Sequence, residues 1–274
     1  MSGAGLRLNE KNKYRAYWEI ANGVAAVEST PASIQFARSN TCNFKCVYCI
    51  DHRPGNNIPR NKIGQTAWEG MLGLIPRSAE LGFHGISEFF IDPEFFDLVR
   101  RSAEAGAALS LNTNGSVCTQ RHLDALAQYP APISITFSLD AATPETFLRI
   151  RGQDFWHIVR NVRSYVECFA QRRDRTLICL SFVINRTSVK EMTPFVYLGK
   201  SLNMDTITFF RMHEYPGLDW LAPTADGGVF NYLDECTGNF REDYNRELER
   251  ARRAAEVLGL AVDLPAPEPV EAAG

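Results

Sequence analysis

From Ser33 onward, short apolar runs alternate with longer stretches in which apolar residues recur every three or four positions. The short runs suit strands and the longer ones amphipathic helices, so the pattern predicts βα units built around a parallel sheet. Strands are expected at 34–37, 85–90, 109–113, 133–139, 177–184 and 205–212. Helices are expected at 67–81, 93–105, 121–128, from Thr143-Pro144, at 155–172 and at 188–202. Thr66-Ala67-Trp68-Glu69 and Ser188-Val189-Lys190-Glu191 have capping-box form. Asp92-Pro93 places proline at a first helical position, and Gly106 fits the stop of the same helix.

Strands of this kind, six in number, predict an α/β fold, a partial (β/α)6 TIM-type barrel, with an open doubly wound sheet as the alternative. No G-x-G-x-x-G follows a strand, which disfavours a nucleotide-binding Rossmann domain. Residues 1–32 form a lead segment with little periodicity, where Tyr14, Trp18 and Ile20 are expected to pack one side of a short helix or strand. The barrel spans 33–212. Residues 213–264 form a C-terminal cap: a turn-rich stretch, a charged helix near 240–258 and a short apolar run at 260–262. The Pro/Ala/Glu-rich tail, 265–274, is expected to be disordered.

Composition narrows the class without changing the pattern. The 274 residues suffice for one large α/β domain, and 45% hydrophobic with 22% charged residues is ordinary for a globular protein. A net charge of −3 offers no electrostatic basis for binding nucleic acid or membrane. No apolar run reaches transmembrane length, and the polar N-terminus lacks a signal-peptide core. Seven cysteines, an odd number partly crowded into one loop, fit a reducing cytoplasm rather than a disulfide scaffold.

That loop carries the chemistry. Cys42, Cys46 and Cys49 are spaced C-x3-C-x2-C directly after the first strand. Iron–sulfur cubanes usually take four Cys ligands, so three leave one iron open. An open position separates a catalytic metal site from a closed structural one. The rival is a zinc site in which His52 completes a Cys3His tetrahedron. The spacing, with Tyr48 just before the last Cys, resembles the signature of the radical S-adenosylmethionine (SAM) superfamily. The resemblance implies a [4Fe-4S] cluster on these three cysteines whose open iron chelates SAM, and reductive cleavage to a 5′-deoxyadenosyl radical that abstracts hydrogen.

Active sites of parallel barrels gather at the C-terminal ends of the strands, and those ends extend the resemblance. Gly85-Ile86-Ser87-Glu88 resembles the family's GGEP-type element, with Ser87 for the second Gly and Phe89 for Pro, and implies Ser87 and Glu88 at the SAM amine. Asn112-Thr113-Asn114-Gly115 resembles a TNG-type element near the ribose or methionine. Ser138-Leu139-Asp140 with Ile150-Arg151-Gly152 resembles an SLD … RG pairing, which implies Ser138 and Arg151 on the SAM carboxylate and Asp140 near the ribose. Arg149 competes with Arg151. Asn185, Arg211, Met212 and Tyr48 complete the implied cofactor set, the last three around adenine. Taken singly, each has a bland reading: a salt-bridged Glu, an Asn-Gly turn, a capping Asp, a surface Arg. A zinc loop predicts none of them in this order. The resemblance covers residues 33–212.

The core also resembles SPASM/twitch-type members, yet Cys118, Cys168, Cys179 and Cys236 show no clustered spacing, so one cluster is expected. Cys236 is either a hydrogen-atom donor, as in radical epimerases, or a small packing residue. The substrate expected is small and polar, a sugar or cyclitol, contacted by Arg53, His213, Glu214, Tyr215 or Asp219. Radical modification or epimerisation of a peptide is the alternative, and a non-catalytic zinc protein is the alternative of another class. The resemblance also implies an electron donor such as flavodoxin or ferredoxin.

Overall fold

The computed structural model describes residues 6–56, 59 and 61–269. Helix α1 (Leu8–Ala21) leads into strand β1 (Ser33–Phe36), followed by α2 (Gln65–Leu72), β2 (Glu80–Phe83), α3 (Phe95–Ala105) and β3 (Ala108–Thr113). Then come α4 (Gln120–Ala127), β4 (Ile133–Ser138), α5 (Pro144–Arg151), α6 (Phe155–Cys168), β5 (Thr176–Ile184), α7 (Met192–Ser201) and β6 (Thr206–Arg211). A small antiparallel hairpin, β7 (Leu221–Pro223) and β8 (Val229–Asn231), precedes α8 (Arg241–Leu258) and β9 (Ala261–Asp263).

The main sheet has seven strands in the order β1-β2-β3-β4-β5-β6-β9, every pair parallel. It is the expected partial barrel, with one strand more: the short run after α8 pairs with β6. Period-2 alternation divides the two faces. Leu109, Leu111, Ile133, Ile135, Phe137, Ile178, Leu180, Phe182, Ile207 and Phe209 are buried against the helices. Their neighbours turn inward, and register sets Ser110 beside Ser134, Asn112 beside Thr136, and Ser138 beside Ser181 beside Thr208. Ordinary barrel interiors are filled by bulky branched residues. Here small hydroxyl and amide side chains leave the inner face open.

Several elements differ from expectation. The second strand lies at 80–83 rather than 85–90, because the helix expected to reach 81 ends at Leu72. Ile86 is exposed, and Phe89 and Phe90 form a one-turn helix whose rings pack on Phe83 and Phe95. Thr66 does not cap α2, which starts at Gln65 behind Gly64 as N-cap, with no side-chain cap. Nor does Pro93 sit in α3: Asp92 Oδ1 accepts from Glu94 N at 2.8 Å and the helix begins at Phe95. Ser188 likewise makes no cap, for Glu191 turns to α5 instead. In α1 the buried side chains are Asn9, Asn12 and Glu19, while Tyr14, Trp18 and Ile20 face solvent, the reverse of the expected packing. Asn12 and Glu19 are buried because they satisfy backbone groups of residues 28–30 and 77.

The tail expected to be disordered is held as far as it is described. Asn245 grips the backbone of Glu268 at both N–H and C=O, and Tyr244 donates to Ala266 O at 2.8 Å. Residues 270–274 lie outside the described residues. Among the described residues no helix is long and apolar enough to cross a membrane.

Candidate active site

The cysteine loop leaves β1 and is tied down on every side. Val47 N donates to Ile150 O at 3.0 Å, and Trp220 Nε1, from the cap, donates to Val47 O at 2.9 Å. Glu88 N donates to Thr41 O at 3.0 Å, and Asn43 is held by Asn114 and Ser116 at 2.9 and 2.8 Å. Phe44 and Val47 supply the apolar anchor. The result turns Cys42, Cys46 and Cys49 into a cleft of about 370 Å³ at the C-terminal ends of the strands. All three thiols are free and partly exposed. Burial pushes the Cys46 thiol up to about 12 and raises Cys42 as well. Thiols of that kind give up their protons to a coordinating metal rather than to water.

Among the described residues no set of three or more His, Cys, Asp or Glu side chains is gathered tightly enough to hold one metal ion. A cubane asks something different, since each thiolate takes its own iron. His52 lines the cleft.

Arg151 lines the same cleft, and its geometry tests the cofactor. Its guanidinium donates to Asp140 through Nη2, while Nε is buried without a partner. A buried donor without an acceptor is costly. Ser138 lines the cleft with Arg151. Asp140, by contrast, does not line the cleft. It sits at φ 60° with a fully buried side chain that accepts from Tyr48 Oη, from Arg151 and from Val183 N at 2.7 Å. Burial pushes the Tyr48 phenol well up, which keeps its proton on the bond to Asp140. Asp140 is thus a tether between the cysteine loop, α5 and β5.

Glu88 and the turn after β3 form a second unit. Glu88 Oε1 accepts from Thr113 Oγ1 at 2.8 Å and from Phe90 N at 3.1 Å, and Oε2 accepts from Asn114 N at 2.7 Å. Burial raises its carboxyl, and the same hydrogen bonds pull the other way. The Asn114 amide reaches Cys42 Sγ at 3.9 Å. Ser87, Glu88, Asn112, Thr113 and Asn114 all line the cleft, as do Tyr48, Arg211 and Met212.

Besides Asp140, two more residues expected at the site do not line it. Asn185 is fully buried in a turn, where Oδ1 accepts from Ser188 N at 2.9 Å and Nδ2 reaches Val183 O, and it does not line the cleft. Cys236 is 2% exposed, donates to Tyr232 O, packs inside the cap and does not line the cleft. Of the mouth candidates, His213 and Tyr215 line the cleft, whereas Arg53, Glu214 and Asp219 do not. The apolar wall of Phe44, Ile50, Ile86 and Val183 carries no motif. Trp220 is a comparable omission; a lone tryptophan in a turn-rich segment was its only signal.

Comparison with known proteins bears on this arrangement. The family model described as "Radical SAM superfamily" matches residues 37–171. A curated relative, "Probable GTP 3',8-cyclase" of Saccharolobus islandicus (strain M.14.25 / Kamchatka #1), is 24% identical over 196 residues, covering 69% of this chain and 59% of its own. The chain therefore spans less than two thirds of that relative's length. Among solved structures, Streptococcus suis SuiB bound to precursor peptide SuiA superposes with a TM-score of 0.65 at 15% identity, covering 93% of this chain and 52% of SuiB. Native anSMEcpe with bound AdoMet superposes with a TM-score of 0.60 at 16% identity, covering 85% of this chain and 64% of its own. At such identities these structures share the fold.

Proposed function

The chain belongs to the radical SAM superfamily, and from that premise we propose that it is an enzyme acting on a small polar substrate of the sugar or cyclitol kind. Its cofactors are a [4Fe-4S] cluster held by Cys42, Cys46 and Cys49 and SAM, which together supply a 5′-deoxyadenosyl radical for hydrogen abstraction. The observation that carries the reading is one cleft with three free thiols on a pinned loop and, on its wall, a buried arginine with an unused donor.

The chain's own residues bind and orient. Arg151 holds the SAM carboxylate, its guanidinium kept in place by Asp140 and its charge favouring a charge-assisted bond. Ser138 adds a hydroxyl beside it. Glu88 keeps part of its accepting capacity for the SAM ammonium, with Ser87 next to it. Met212, which is buried, and Tyr48, which is partly so, offer apolar surface that excludes water. Below them the inner face of Asn112, Thr136, Ser138, Ser181 and Thr208 presents uncharged hydrogen-bonding groups, which suits a hydroxyl-rich substrate. Peptide modification is the second reading, favoured by the peptide-bound SuiB structure. A one-electron donor of the flavodoxin or ferredoxin type, and the reducing cytoplasm that seven free cysteines suit, belong to the same proposal.

Anaerobic reconstitution tests it. The expected protein is brown, holds about four irons per chain, and releases 5′-deoxyadenosine from SAM on reduction. Cys42→Ala, Cys46→Ala and Cys49→Ala each lose iron and cleavage together. A colourless protein with one zinc per chain and no SAM cleavage overturns the reading.

A further inference from the structure

We propose that Glu268 determines specificity at this cleft: by neutralising Arg211 it keeps the substrate side uncharged and turns away phosphorylated ligands. The inference rests on the cleft being the active site proposed above.

Arg211 ends β6 and lines the cleft, its side chain 43% exposed. Its Nη1 donates to Glu268 Oε1 at 2.8 Å, and the same oxygen accepts from Thr237 Oγ1 at 2.8 Å. Glu268 is not carried there by the ion pair alone. Asn245 holds its backbone from both sides, accepting from Glu268 N at 2.8 Å and donating to Glu268 O at 2.9 Å. Tyr244 fixes Ala266 just before it in the chain. The carboxylate is thus delivered by a segment docked on α8 to a cation that would otherwise face ligand.

Besides the arginines, the ionisable groups on the cleft wall include Glu88, which is held by Thr113 and two backbone N–H groups, and the imidazoles of His52 and His213. Among the described residues, Arg151 and Arg211 are the arginines that line it, and no lysine does. Arg151 is committed to Asp140 and to the cofactor carboxylate. The inner faces of β3 to β6 below the cleft carry serine, threonine and asparagine but no charge. A phosphate group needs donors and positive charge, and here the remaining cation already has Glu268 as its partner. Building repulsion against a near relative of the substrate is one of the two routes to specificity. A neutral polyol loses nothing at such a site.

The test uses the reconstituted holoenzyme and GTP as the anionic probe, titrated calorimetrically under anaerobic conditions. Glu268→Gln keeps the Asn245 grip and an acceptor for Thr237 while removing the charge. It is expected to bind GTP roughly tenfold more tightly than the unaltered protein, the worth of one freed charge-assisted bond. Adding Arg211→Met to Glu268→Gln returns the affinity to its starting value. Equal GTP affinity with and without Glu268→Gln overturns the proposal. Should Glu268→Gln fail to fold, Glu268→Ala decides by the same reading: GTP bound roughly tenfold more tightly supports the proposal, and unchanged affinity overturns it. The titration needs no SAM cleavage, so its outcome is independent of the cysteine variants that test the enzyme itself.

Discussion

Asp140 stands in the left-handed region, φ 60°, where its buried carboxylate meets Tyr48, Arg151 and Val183 N. Asp and Asn tolerate that backbone better than most residues. Removing the carboxylate strands a buried guanidinium that then lacks acceptors at both Nη2 and Nε. Asp140→Ala is expected to cost about 3–5 kcal/mol, as for a broken buried pair, read by urea denaturation. Asp140→Asn keeps the backbone geometry and one acceptor and is expected to cost clearly less. The residue was legible as part of the site from its place after a strand. That its side chain is a buried tether and does not line the cleft was not, because it stands at φ 60° and no local pattern announces that turn. Cys236 shows the same limit: a cysteine in a turn-rich stretch reads alike whether it faces a substrate or packs beneath Tyr232.

At the scale of elements, Glu191 is the instructive case. Its carboxylate accepts from Ala142 N at 2.6 Å, Thr143 N at 3.1 Å, and the hydroxyls of Thr143 and Thr146 at 2.6 Å each. It therefore caps α5 from the far side of β5, where a negative charge also suits the helix N-terminus. Glu191→Ala is expected to lower stability by about 1–3 kcal/mol, the loss of a helix cap together with charged hydrogen bonds. Hydrogen exchange checks the location: the amides of Ala142 and Thr143 should lose protection before those of β4. The Ser188…Glu191 spacing had the form of a local cap, but the acid found better donors across the fold. The misplaced second strand has a related cause. Glu80-Leu-Gly-Phe83 is four residues with a glycine inside, too short a run for period-2 alternation to stand out beside the apolar Phe89-Phe90 pair. Tertiary packing of those rings on Phe83 and Phe95 then makes a turn of what looked like a strand.

Across the whole molecule, the cap and the barrel are joined at the cysteine loop. Trp220 stacks on Tyr232 at 3.6 Å between ring centroids and reaches 2.9 Å to Val47 O, between Cys46 and Cys49. Trp220→Phe keeps the stacking and deletes the hydrogen bond. The expected cost in global stability is only about 1 kcal/mol, whereas iron retained after gel filtration of the reconstituted protein should fall measurably below that of the unaltered chain. Equal iron retention would show that the loop holds its shape without the cap. By itself the sequence determined the βα alternation, the order of the strand ends and which residue types each one presents, because hydrophobic period and short-range spacing are local properties. Tertiary structure alone decided which of those side chains face one cleft, which tie its walls together, and which ions cancel across it. Those outcomes depend on φ at single residues, on strand register and on contacts between segments as distant as Val47 and Trp220, and none of these is written in a local pattern.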